Sequence, residues 1–194
     1  MSADAPSDAD LMLAYAAGDA AAFDALYARH KGGVYRYFLR QCRHGGIADE
    51  LFQDVWMNLI RARATYAPTA KFTTWLYRLA HNRLMDHYRA SGAVQLVSAD
   101  DEAHAQTIAD IPGASDEEPH RRAEARELGL RIKEVVEALP AAQREAFLLQ
   151  HEGGLSLAEI AELTGAGVET VKSRLRYAMN KLRSDLSDLV ERES

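Results

Sequence analysis

Apolar residues recur at intervals of three and four along nearly the whole chain, and no run alternates apolar with polar long enough to make a sheet. The pattern predicts helices throughout. A short helix fits residues 9–17, closed by Gly18, and Asp19 is placed to cap a second that runs from 20 to about 43 across the pair Gly32-Gly33. His44-Gly45-Gly46 reads as its end. In a third helix, 47–63, Ile47, Leu51, Val55, Trp56, Leu59 and Ile60 share one stripe. The stretch 64–70 holds Pro68 and reads as a loop. A fourth helix, 71–89, turns Phe72, Trp75, Leu76, Leu79 and Ala80 inward. Together these make one four-helix unit.

Periodicity fails from 91 to 118. That stretch has Gly92, Pro112, Gly113, seven acids and no Arg or Lys, which predicts a flexible acidic linker. As a random coil its 28 residues span about 30 Å root-mean-square. Helices resume over about 119–139, 141–152, 156–163 and 168–186, with Pro140 dividing the first two because it cannot supply an interior N–H. The expected fold class is all-α: two small helical domains, 1–90 and 119–194, on a tether formed by 91–118.

The last two helices carry the sharpest local signal. Ser156-Leu157-Ala158-Glu159 has the form of a capping box, and Ala161 is small enough for another helix to cross closely. Thr164-Gly165-Ala166-Gly167 supplies a turn with glycines available for positive φ. Val168, Val171, Leu175, Ala178 and Leu182 then repeat on one stripe of a longer basic helix. A short helix, a glycine turn and a longer basic helix match a DNA-reading helix-turn-helix. Glu169, Thr170, Ser173, Arg176, Tyr177 and Asn180 lie opposite the stripe, where base edges would be met, and Lys172, Arg174 and Lys181 lie on the flanks, where phosphates would be. Taken alone, the same pattern also fits a helical hairpin with a solvated basic face.

Composition narrows the setting. A chain of 194 residues with one cysteine has no disulfide scaffold and fits a reducing compartment. No run approaches the roughly 18 apolar residues of a membrane span, and the N-terminal stretch carries acids where a secretory signal needs bases. A cytoplasmic protein is expected.

The net charge of -6 is unevenly spread. Residues 1–90 carry +2, 91–127 carry -6 and 128–194 carry -2. Six Arg or Lys against Asp86 alone lie between 61 and 90, and five with no acid lie between 171 and 183. Two basic stripes on either side of an acidic connector suit two contacts on one polyanion.

The fourth helix, KFTTWLYRLAHNRLMDHYRA, leaves Lys71, Thr74, Arg78, His81, Asn82, Met85 and Arg89 off its apolar stripe, with Tyr66, Tyr77 and Tyr88 close by. Cations that track phosphates beside flat side chains that accept unstacked bases suit single-stranded nucleic acid. The third helix presents the opposite chemistry in Asp49, Glu50, Gln53, Asp54 and Asn58. That face would suit a basic protein partner, or serve only as solubilising charge. Enzyme chemistry has little to stand on. His81, Asp86 and His87 spread over different helix faces, Cys42 and His44 lack companions for a zinc site, and no nucleotide-binding glycine loop or nucleophile motif appears. No catalytic residue, metal or cofactor is assigned.

Four stretches in this order, GDAAAFDALYARH, DELFQDVWMNLI, KFTTWLYRLAHNRLMDHYR and LPAAQREAFLLQHEGGLSLAEIAELTGAGVETVKSRLRYAMNKLR, resemble the extracytoplasmic-function group of the sigma-70 family, the small two-domain sigma factors of bacterial RNA polymerase. The resemblance runs from about residue 10 to 186. It implies that Asp49, Glu50, Gln53, Asp54 and Trp56 dock on the clamp of the polymerase's largest catalytic subunit. It implies that the loop 64–70 and the fourth helix open the minus-ten element through Tyr66, Lys71, Thr74, Arg78, His81 and Asn82, with Arg78 and Asn82 foremost. The helix-turn-helix would read the minus-thirty-five element through Glu169, Thr170, Lys172, Ser173, Arg174, Arg176, Tyr177 and Lys181, near the flap of the second subunit. An anti-sigma factor is a further implied partner. The competing expectation is a stand-alone helix-turn-helix regulator, which would dimerise on palindromic half-sites.

Overall fold

The computed structural model describes residues 5–92 and 119–192, with side chains over 5–92 and 127–186; the expected linker lies almost wholly outside the described residues. Every regular element among them is helical, as the periodicity predicts: α1 (Asp8–Ala16), α2 (Ala20–Cys42), α3 (Gly45–Ala62), a 3-10 turn (Arg63–Thr65), α4 (Phe72–Ala90), α5 (Pro119–Ala138), α6 (Ala141–His151), α7 (Leu157–Thr164) and α8 (Val168–Arg192).

The helix starts follow from local chemistry. Ser7 and Asp10 form a capping box at α1, which the sequence reading missed by starting that helix at 9. The Asp19 carboxylate accepts from the Ala21 N–H at 3.0 Å and caps α2. Between α2 and α3 the expectation needs correcting. Gly45 and Gly46 do not end α2; they open α3. Arg43 itself takes the left-handed conformation that closes α2 (φ 53), and His44 Nδ1 accepts from the Ile47 N–H to cap α3. Gly46 is where the His44 ring folds over, since a Cβ there would lie 3.3 Å from His44 Cε1.

Burial of apolar stripes then assembles two units. Met12, Leu26, Val34, Phe38, Leu51, Val55, Leu59, Leu76, Ala80 and Leu84 fill the interior among α1–α4. Val136, Leu139, Leu148, Leu149, Ile160, Val171 and Ala178 fill that among α5–α8. On α8 the expected stripe holds except at its first position, because Val168 begins the helix and stays 45% exposed.

The two units do not hang apart. They dock along α2 and α4 of the first and α5, α6 and α7 of the second, and their interiors join into one cluster. Tyr77 is the hinge pin of that seam, at 1% exposure. A Cβ on Gly33 would lie 2.8 Å from Tyr77 Oη and 3.3 Å from the Glu152 carbonyl oxygen, and one on Gly153 would lie 3.0 Å from Tyr77 Cγ. The glycine within α2 therefore marks the place where the turn after α6 leans on that helix.

Candidate nucleic-acid interface

On α4, Thr74, Arg78 and His81 are spaced four and three apart and so share one face. That face meets carboxylates of the second unit. Thr74 Oγ1 donates to Glu159 Oε1 at 2.6 Å, Arg78 Nη2 to Glu162 Oε1 at 2.7 Å, and His81 Nδ1 lies 2.8 Å from Glu145 Oε1. Thr74 and His81 are consequently buried. Lys71 and Asn82 remain exposed beside them. The Thr74 hydroxyl, helped by the Ser156 backbone N–H, holds the Glu159 carboxyl down to about 2.

Further along the seam the Glu152 carboxylate accepts from both Arg36 and Arg40 of α2, at 2.8–3.1 Å. Sequence reading singled out none of Glu145, Glu152 and Glu162, and gave Glu159 a capping role alone. A usable signal was there: 145 and 152 stand two turns apart along α6 and its cap, and 159 and 162 share a face of α7.

The aromatic residues near α4 are less available than expected. Tyr77 is in the seam, and Tyr88 is half-buried with its hydroxyl directed to the Gln41 carbonyl. Tyr66 packs on Trp75 with ring centroids 5.0 Å apart, and Phe72 lies in the interior. Of the loop 64–70, the first two residues finish the 3-10 turn and the rest are exposed apart from Tyr66.

The outer face of α3 is built as expected, with Asp49, Glu50 and Gln53 exposed. Asp54 is half-buried and accepts from Arg83 Nε at 2.6 Å, while Glu50 lies 3.7 Å from Arg83. Trp56 stands apart from this group: at 5% exposure it is an interior residue, ringed by Phe23, Tyr27 and Phe52. It backs the acidic face from beneath and does not present itself on it.

The C-terminal pair is a capped helix-turn-helix. Ser156 and Glu159 form the capping box in full, Gly165 closes α7 at φ 65, and Ala161 is buried as α7 packs against α8. On α8, Glu169, Thr170, Lys172, Arg176, Tyr177 and Lys181 are exposed, with Ser173 and Arg174 half-buried. Tyr177 is 57% exposed and the Arg176 guanidinium stands 5.7 Å over its ring. Among the described residues, the cations on this face carry local pairs alone, Lys172 with Glu169 and Lys181 with Asp185. Surface pairs of this kind contribute at most about 1 kcal/mol and exchange readily for phosphate.

Among the described residues no three His, Cys, Asp or Glu side chains converge as a metal site would require, and no helix is long and apolar enough to cross a membrane.

Both units match known families. The model of Sigma-70 region 2 matches residues 26–94, and that of Sigma-70 region 4 matches 129–182. The ECF RNA polymerase sigma factor SigK of Mycobacterium tuberculosis is 31% identical over 187 residues, covering 93% of this chain and 94% of the relative. SigM of the same species is 30% identical over 176 residues, covering 91% and 83%. Among solved structures, the sigma factor RpoE of Bartonella quintana, in complex with the anti-sigma factor NepR, aligns with TM-score 0.62 at 21% identity, over 85% of this chain and 96% of that one. CnrH in complex with the cytosolic domain of CnrY aligns with TM-score 0.59 at 23% identity, over 97% and 100%.

Proposed function

This chain belongs to the ECF RNA polymerase sigma factors, proteins that direct promoter-specific transcription initiation, and we propose that it divides that task between its two units as follows. Asp49, Glu50, Gln53 and Asp54 on α3 dock on the clamp of the polymerase's largest subunit, with Trp56 fixing α3 from within. Tyr66, Lys71, Thr74, Arg78, His81 and Asn82 take the minus-ten element, with Arg78 and Asn82 engaging the displaced strand. Glu169, Thr170, Ser173, Arg176 and Tyr177 read the minus-thirty-five element, while Lys172, Arg174 and Lys181 hold its phosphates. The second unit also rests on the flap of the second subunit. The protein works in the cytoplasm as an initiation factor and carries out no catalysis of its own. Family membership decides against a stand-alone regulator.

The observation that most supports this division is the bare outward face of α8. A helix capped, crossed and packed on one side leaves a row of mixed polar groups flanked by cations on the other, the layout of a major-groove reader. An anti-sigma factor is a fitting regulator, since both solved relatives are described in complex with such a factor or with the cytosolic domain of another protein.

With a net charge of -6 the free chain lacks the dense cationic footprint that drives DNA binding by counterion release. Promoter binding therefore depends on polymerase core, which makes the second contact intramolecular. Run-off transcription with purified core on a promoter library tests the reading. Initiation at sites sharing two spaced elements supports it, and tight sequence-specific gel shifts by the chain without core overturn the core dependence.

A further inference from the structure

No role in the proposed function falls to α1. It also precedes the residues matched by the Sigma-70 region 2 model, which begin at 26. Yet α1 packs on α2, on the 3-10 turn and on α4, and so lies against both ends of the loop 64–70. We infer that α1 is a brace for that loop: Tyr15 fastens its entry and Asp8 its exit, so that the exposed middle meets the displaced strand in a preset shape. The inference rests on the assignment of the loop to the minus-ten element.

The entry is gripped at the 3-10 turn. Arg63 Nη1 donates to Tyr15 Oη at 3.2 Å, and the guanidinium stands 5.2 Å over the same ring. Tyr15 is itself buried, with its ring 5.0 Å from that of Phe23. The exit is gripped by way of α2. Asp8 Oδ1 accepts from Arg29 Nη1 at 2.8 Å, and Asp8 Oδ2 lies 2.8 Å from His30 Nε2. The His30 ring in turn lies 5.3 Å from that of Phe72, the first residue of α4. Arg29 also donates to the Pro6 carbonyl at 3.0 Å, and the Ser7–Asp10 capping box starts the helix there. The Asp8 end of α1 is therefore held by its own cap as well as by α2.

The loop has little else to hold it. Residues 67–70 are exposed, and the Thr69 N–H donates to the Ala67 carbonyl within the loop itself. Tyr66 is seated by ring contacts with Trp75 and Phe72, while its hydroxyl is buried without a hydrogen-bond partner among the described residues. Burial and the nearby Asp8 charge push that phenol above its ordinary value, which sets the start of α1 beside the loop. A loop anchored at both ends has fewer shapes to lose when it takes up a displaced strand, so fixing its ends favours capture.

The test compares the full chain with the double variant Asp8→Asn, Tyr15→Phe, which removes polar contacts at both grips and opens no cavity. Asp8→Asn alone serves if the pair fails to fold. Far-UV circular dichroism and urea melts establish that each variant folds. Limited trypsin digestion of the free chain, read by mass spectrometry, follows cleavage after Arg63 and Lys71, which flank the loop. Holoenzyme assembled with each variant is then compared on a duplex promoter and on the same promoter melted beforehand, at saturating core.

The variant should be cut at these sites about tenfold faster than the wild-type chain, the change expected when a charge-assisted contact that closes the loop is lost. It should initiate about tenfold more slowly on the duplex and nearly as well on the melted template. Neutralising Asp8 removes a negative charge, which by itself favours DNA, so the expected loss runs against the electrostatic trend. A general weakening of the fold would lower both templates together. Unchanged cleavage, or equal loss on the two templates, overturns the inference. Lys71→Ala, at an exposed position where the loop ends, separates the two levels. If it impairs duplex initiation and the brace variant does not, the brace is wrong and the assignment of the loop stands. If neither impairs it, the assignment falls as well.

Discussion

Thr74 and Glu159, 85 residues apart in the chain, share a hydrogen bond of 2.6 Å between the fourth helix and the seventh. The same carboxylate caps its own helix through Ser156, so one side chain both starts α7 and fastens it to the other unit. Its carboxyl is held at about 2, with the Thr74 hydroxyl as the largest cause. A carboxyl lowered in the folded state contributes stability above its unfolded value, near 4.5, and loses it as pH falls through the folded one. The Glu159 contribution should therefore be intact at pH 5 and fade between about pH 4.5 and 2. Thr74→Val, which removes the donor and keeps the shape, should raise the Glu159 titration midpoint. Carbon-detected NMR of the glutamate side chains would read this, and an unmoved midpoint would place the cause elsewhere.

Arg78 lies on the face assigned to strand opening, paired with the exposed Glu162. Arg78→Ala should reduce initiation on a duplex promoter more than on one melted beforehand, by at least about tenfold if a charged contact made only in the opening step is lost. Abortive initiation on the two templates makes the comparison. Equal loss on both would move Arg78 from opening to general contact.

On α8 the flanks and the centre should behave differently in holoenzyme. Lys172→Ala should weaken promoter binding by a similar factor on every sequence and lower the salt slope by about one. Arg176→Ala should change which bases are preferred at the minus-thirty-five element, with a discrimination loss of about 1–3 kcal/mol. A salt titration and a randomised-element selection distinguish them.

Trp56 and Gln53 are three residues apart on α3 and serve it in different ways. Trp56→Ala leaves a void among Phe23, Tyr27 and Phe52 and should cost about 3–5 kcal/mol in a urea melt. Gln53→Ala, at an exposed position, should leave the melt within about 0.5 kcal/mol while weakening capture of polymerase core. If both variants melt alike, the distinction between support and contact fails.

Cys42 ends α2 with its thiol pushed up to about 12 by burial. Thiolate is the reactive form, so the group should react with iodoacetamide at pH 8 far more slowly than a free thiol, whose pKa is near 8.5. Mass-spectrometric alkylation kinetics would measure this. Rapid labelling of the native chain would contradict the burial.

How much of this was readable beforehand varies with the range of the interaction. Local chemistry was legible: the Ser156–Glu159 box, the Asp19 cap and the Gly165 turn are each written within a few neighbouring residues. The end of α2 was misread because glycine normally takes the left-handed position, whereas here Arg43 does, and His44 then starts a helix on two glycines. The periodicity of α4 separated inside from outside for one unit considered alone. It could not reveal that Thr74 and His81 have a second inside, because that depends on Glu159 and Glu145 arriving from another unit. Trp56 carried an ambiguous signal, fitting both the apolar stripe and the family's docking stretch, and only the ring cluster around it resolves its place.

Tyr77 is covered on one side by the bare backbone of Gly33 and on the other by that of Gly153. Cutting the chain after Gly92 would strip away the second cover and leave a large aromatic ring, together with Thr74 and His81, facing water. Studied as an isolated fragment, the first half should be stickier and easier to melt than it is in the whole protein, and DNA affinities measured on it would describe a surface the intact molecule does not ordinarily show.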